Sequence, residues 1–169
     1  MTPGGTSGEA AGSVGVDQSE TMDIHAIDAE RTRWYELIGL VRRLSPDECL
    51  EPGYYEDPAW SVRDLIGHVG TWLAQGEIQL MRINAGTYDG HAVDIDTLNA
   101  QFLEAVHDQS WDTVSDLAQA GRTRMLQEWG SIDTLDDEAT WWLRKSGADH
   151  YAEHLERLRA WVEELVARR

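Results

Sequence analysis

The chain is short of cysteine, of positive charge and of long apolar runs, and each shortage closes off a class of protein. Cys49 is the only cysteine among 169 residues. Neither an internal disulfide nor a cysteine-based zinc site can form, and a reducing, cytoplasmic setting is expected. Lys and Arg number 14 against 31 Asp and Glu, a formal net charge of −17. A surface that acidic repels phosphate backbones and anionic headgroups, which argues against nucleic-acid and membrane partners. No apolar run approaches the roughly 20 residues of a membrane span, and the N-terminus has no charged-then-apolar export pattern. The chain contains no G-x-S-x-G, P-loop or dinucleotide glycine fingerprint. Alternating β-branched runs are missing too, and with them the signal for a sheet.

What is present is helical periodicity. Residues 1–22, rich in Gly, Ser, Thr and Ala, read as a disordered tail, and 23–169 as one domain. Ile24, Ile27, Trp34, Leu37, Ile38, Val41 and Leu44 recur on one helical face. Ser45-Pro46-Asp47-Glu48 and Ser61-Val62-Arg63-Asp64 are capping boxes. The second opens a helix with Val62, Leu65, Ile66, Val69, Trp72, Leu73, Leu80 and Ile83 inward and a stop at Gly86. A third helical region carries Leu98, Phe102 and Val106, breaks near Gln109-Ser110-Trp111, and resumes through Val114, Leu117, Ala118, Gly121, Met125 and Trp129. A short segment with Trp141-Trp142 precedes the last helix, about 147–167, striped by Tyr151, Leu155, Leu158, Val162 and Leu165. Four long amphipathic helices with no strand predict an all-α four-helix bundle.

Three of the six histidines carry a pattern. His150 and His154 stand i, i+4 on the last helix, a spacing that puts both imidazoles on one face within reach of one metal ion. They flank that helix's apolar stripe, beside Trp161. His68 lies at the edge of the second helix's stripe, one turn before Trp72, so a bundle can bring the three together. Such a pair arises by chance in about one chain in five of this composition, so the spacing alone is a weak signal. His25, His91 and His107 fall on surface or loop positions. Cys49, with no histidine near it in sequence, reads as a packing residue. Trp34, Trp72, Trp129 and Trp161 sit at core spacing.

The segment from Trp60 to Val69, WSVRDLIGHV, resembles the second-helix signature of the DinB-like superfamily. Asp149 to Leu155, DHYAEHL, resembles the last-helix motif of the same superfamily. The superfamily includes the N-terminal domain of mycothiol-dependent maleylpyruvate isomerase. Its fold is a four-helix bundle that holds a divalent metal through one histidine on the second helix and two ligands four apart on the last. That implies a metal site of His68, His150 and His154, with zinc or nickel as the expected ion. Isomerase-type members have Glu then His on the last helix. His at both places is similar to the bacillithiol-transferase-like members, and the subfamily stays open. The sequence as far as Arg169 is expected to correspond to the isomerase's N-terminal domain, without its C-terminal domain.

The resemblance implies a metal-dependent thiol S-transferase or related detoxification enzyme, with mycothiol as thiol co-substrate and a small-molecule electrophile as partner. A resistance-type hydrolase and a non-catalytic metal- or small-molecule-binding bundle are the alternatives. A homodimer, paired through an exposed apolar helix face, is a further expectation.

Overall fold

Helices begin where a side chain can occupy the first free backbone N–H groups. In this computed structural model, which describes residues 18–90, 94–133 and 136–169, the elements in order are α1 (Gln18–Val41), α2 (Pro46–Cys49), β1 (Tyr55–Glu56), β2 (Ala59–Trp60), α3 (Val62–Asn84), α4 (Ile95–Val106), α5 (Trp111–Gly130), α6 (Asp137–Ser146) and α7 (Ala148–Val166). The two expected capping boxes form. The Ser45 hydroxyl accepts from the Glu48 N–H while the Glu48 carboxylate accepts from the Ser45 N–H. Ser61 and Asp64 repeat the arrangement at the start of α3. Asp94, Ser110 and Asp136 cap α4, α5 and α6. The Ser110 cap is what divides the third helical region at the expected place. No helix among the described residues is long and apolar enough to cross a membrane.

The protein is mostly helical. α3 lies along α5, α1 lies along α7, and α6 touches all four of them, joining the two pairs. The α3–α5 approach is close because Gly70 has no side chain: a Cβ there would stand 3.0 Å from the Ala118 Cα. The core runs continuously through Leu37, Leu65, Leu73, Met125, Trp142, Leu143, Tyr151 and Leu158, each fully buried. At about 1.5–3 kcal/mol for each large apolar side chain withdrawn from water, this core supplies most of the drive to fold.

Several expectations need correction. α1 starts at Gln18, so residues 18–22, assigned to the tail, are helical. The rest of the tail, 1–17, lies outside the described residues. Ile24 and Leu117, placed on inward faces, are 62% and 51% exposed. The segment holding Trp141-Trp142 is itself the helix α6, buried through Ala139, Trp142, Leu143 and Ser146. A two-residue antiparallel pairing, Tyr55 opposite Trp60 and Glu56 opposite Ala59, appears where no strand is expected. This hairpin matters because of what it carries to the histidines.

Candidate metal centre

α3 contributes His68 and α7 contributes His150 and His154. The helical pitch sets the last two one turn apart. The shared packing of α3 and α7 against α6 brings the first to meet them. The Nε2 atoms of His68 and His150 are 2.9 Å apart, and those of His150 and His154 are 3.2 Å apart. All three rings are buried, at 5–7% exposure. Among the described residues they form a group of side chains placed to share a metal ion, with ligand nitrogens within 4.8 Å of one another.

The three imidazoles that the i, i+4 spacing and the position of His68 single out do converge. Two nitrogens bound to one zinc ion at 2.0–2.1 Å stand at most about 4.2 Å apart. At the tetrahedral angle the same bonds set the nitrogens about 3.3 Å apart, close to the two Nε2 separations at His150.

The donor set fits a metal on chemical grounds. An imidazole Nε2 holds either one proton or one lone pair. His150 Nε2 touches two other Nε2 atoms, so a proton can complete one of those contacts and leaves the other without a bond. The outer nitrogens give little relief, since Nδ1 of His68 is buried with no hydrogen-bond partner and His150 has, beyond the other imidazoles, only a weak contact with the Ser146 backbone. Protonation of the rings is also opposed. Burial, with a smaller contribution from His154, pushes His68 down to about 3. Burial and then the two neighbouring imidazoles hold His150 well below the usual histidine value. Burial lowers His154 as well, against a weaker opposing pull from Glu153. Three neutral imidazoles with converging nitrogens are the ligand state a divalent ion requires.

Aromatic rings wall the cluster. Trp60 of the hairpin lies 5.2 Å from His68, and Trp72 lies 5.9 Å from His150, ring centre to ring centre. Trp72 donates its indole N–H to Asn99 on α4. Tyr54 and Tyr55 bring their hydroxyls to 3.1 and 3.4 Å from Nδ1 of His154. These residues are missed by pattern reading because Tyr54 and His154 are 100 positions apart. The only signal in the sequence is the local crowding of Tyr54, Tyr55 and Trp60.

The remaining candidates fall outside the cluster. His25 and His107 are exposed, and His91 lies outside the described residues. Cys49 is a buried free thiol pushed up to about 12 by burial, which suits packing rather than nucleophilic attack. Trp34, Trp72, Trp129 and Trp161 are buried, as their spacing predicts.

No protein-family model matches the chain, and no curated protein matches it. A crystal structure of an uncharacterised protein from Escherichia coli UTI89 is similar, with a TM-score of 0.67 and 16% identity, over 82% of this chain and 91% of that one. At that identity the likeness is one of fold.

Proposed function

We propose that the chain is a DinB-like four-helix-bundle enzyme that uses a divalent ion, zinc or nickel, to transfer a low-molecular-weight thiol of the mycothiol type to a small electrophile. In this reading α1, α3, α5 and α7 are the four principal helices and His68, His150 and His154 are the ligands. The observation that carries the metal is the pair of Nε2 contacts at His150, of which hydrogen bonding can complete only one.

A bound divalent ion supplies positive charge that makes a nearby thiol more acidic and so a better nucleophile near neutral pH. The protein's own part is to hold three imidazoles neutral through burial. The indoles of Trp60 and Trp72 keep water from the cluster and offer apolar faces to the electrophile. Cys49 takes no part, since the incoming thiol supplies the sulfur. The new carbon–sulfur bond forms at the electrophile as its bond to the leaving group breaks, the electron pair departs with that group, and the thiol proton passes to solvent or to the leaving group.

The test is a conjugation assay of the metal-loaded protein with a panel of thiols, mycothiol among them, and a chromogenic electrophile. Metal-dependent turnover with one thiol class is expected. Turnover that needs Cys49 and survives His154→Ala would point instead to covalent catalysis by the protein. The deep burial of all three rings favours a second reading, a metal-binding bundle without turnover; metal uptake with no conjugation for any thiol would select it.

A further inference from the structure

We infer that Tyr54 is a positioning residue that fixes the ring of His154 in the Nδ1–H form and so turns the Nε2 lone pair toward His68 and His150. The inference rests on the metal reading for its purpose, though not for its geometry.

Tyr54 is fully buried and its backbone is held from both sides. The N–H groups of Gly53 and Tyr54 both donate to the Trp60 carbonyl, at 2.9 and 2.8 Å. Arg157 donates to the carbonyls of Tyr54 and Gly53, at 2.6 Å each. Gly53 has φ +127°, and a Cβ there would stand 2.6 Å from the Trp161 ring, so only glycine permits this turn against the indole. The phenol is therefore delivered to α7 by a rigid stem.

Its hydroxyl lies 3.1 Å from Nδ1 of His154 and 3.4 Å from the His154 carbonyl oxygen. A hydroxyl has one proton to give. Donated to the carbonyl, it leaves the phenol oxygen free to accept from Nδ1–H, and both neighbours are satisfied. Donated to Nδ1 instead, it puts the ring proton on Nε2, where it fills the contact with His150 and leaves no lone pair facing inward. The first arrangement is the one that also serves the His154 carbonyl and keeps the Nε2 lone pair facing inward. His68 has no such anchor on Nδ1 and His150 has only a weak contact with the Ser146 backbone, so His154 is the ligand of the three whose ring is held by a buried side chain. Tyr55, at 3.4 Å and 36% exposed, is the weaker partner.

The test uses the full chain with ¹⁵N-labelled histidine, without added metal. Long-range ¹H–¹⁵N spectra report each ring's tautomer, and Zn²⁺ affinity is then measured by competition with a chromophoric chelator. The wild-type protein is expected to show His154 as Nδ1–H. Tyr54→Phe keeps the ring and removes the acceptor. It is expected to shift His154 toward Nε2–H and to weaken Zn²⁺ binding about 10–100-fold, the usual cost of losing an outer-shell partner. Tyr55→Phe is expected to move neither readout appreciably. His154 found as Nε2–H in the wild type overturns the inference. So does a Tyr54→Phe protein that is folded by circular dichroism and keeps both the wild-type tautomer and the wild-type affinity. If the wild type takes up no Zn²⁺ at all, the metal reading fails, and the tautomer spectra alone decide the role of Tyr54.

Discussion

Two buried polar clusters meet on α7, one residue apart. His150 turns into the imidazole group, while Tyr151 turns to Glu30 of α1 and Arg122 of α5. In the second cluster every group is bonded. Arg122 donates to both Glu30 oxygens, at 2.7 and 2.6 Å, and the Tyr151 hydroxyl donates to Glu30 at 3.1 Å. The guanidinium also lies over the Trp34 ring at 5.2 Å. In the first cluster Nδ1 of His68 has no partner and three Nε2 atoms face one another. A buried polar network that closes on itself fastens helices together. One that leaves converging lone pairs is incomplete, and its donors are placed so that an ion could complete it. The same depth of burial thus closes a network on one face of α7 and leaves a candidate ligand set on the other.

The largest effect should come from breaking the closed cluster. Glu30→Ala leaves the Arg122 charge nearly buried and unpaired, and a loss of about 3–5 kcal/mol in unfolding free energy is expected. Urea denaturation measures it, and molecules that remain folded should bind metal as the wild type does. A neutral result would mean that the guanidinium finds other partners and that this cluster is not the fastening.

His154→Ala should do the reverse. It removes a ligand and leaves the core stripe of α7 intact, so the fold is expected to survive while metal affinity falls by more than the roughly 100-fold that an outer-shell change can cost. Thermal melting and metal analysis on the same sample separate the two effects. A variant that unfolds and one that still retains its metal would each count against the contrast.

Acid should separate the clusters further. Burial holds the folded-state pKa of all three histidines below the ordinary value of 6.5, with His68 at about 3. Between those values the unfolded chain binds more protons than the folded one. The metal-free protein should therefore be at full stability above about pH 7 and lose it as the pH falls from about 6.5 toward 3. Each such histidine contributes up to about 1.4 kcal/mol per pH unit. Denaturation midpoints of the wild type and His68→Leu across this range check it, and the variant should show the shallower slope.

The smallest effect on the centre is expected from Cys49→Ser. Cys49 is buried beside neither cluster's polar atoms, so metal content and any turnover should stay close to wild type, at a cost of about 1–3 kcal/mol for burying a hydroxyl. Loss of metal in this variant would show a thiol contribution that the geometry does not contain.

The helices that signal themselves in the sequence are those with both a cap and a stripe of large apolar residues. Ser61 and Asp64 announce α3, and Leu155, Leu158 and Val162 announce α7. α6 goes unannounced although Ala139, Trp142, Leu143 and Ser146 have helical spacing, because two of its four buried positions are small and carry little hydrophobic signal. Ile24 and Leu117 fit the periodicity of their helices yet face solvent, since spacing cannot say where a neighbouring helix ends. The i, i+4 pair and the position of His68 near Trp72 hint at the histidine group, and it is the resemblance of the two motif segments that singles out all three residues. Tyr54 and the hairpin are not, because two-residue strands have no period and their value lies in contacts across the chain. Glu30 is likewise hidden among 31 acidic residues until α5 brings Arg122 to it.

The most direct measurement is metal stoichiometry of the protein purified without a histidine tag, exposed to Zn²⁺ or Ni²⁺ and freed of unbound ion by gel filtration. One ion per chain is expected in the wild type, lost alike in His68→Ala, His150→Ala and His154→Ala, each folded by circular dichroism. A wild type that retains no ion, or an ion retained unchanged in all three variants, would contradict the assignment of the imidazole cluster as a metal centre.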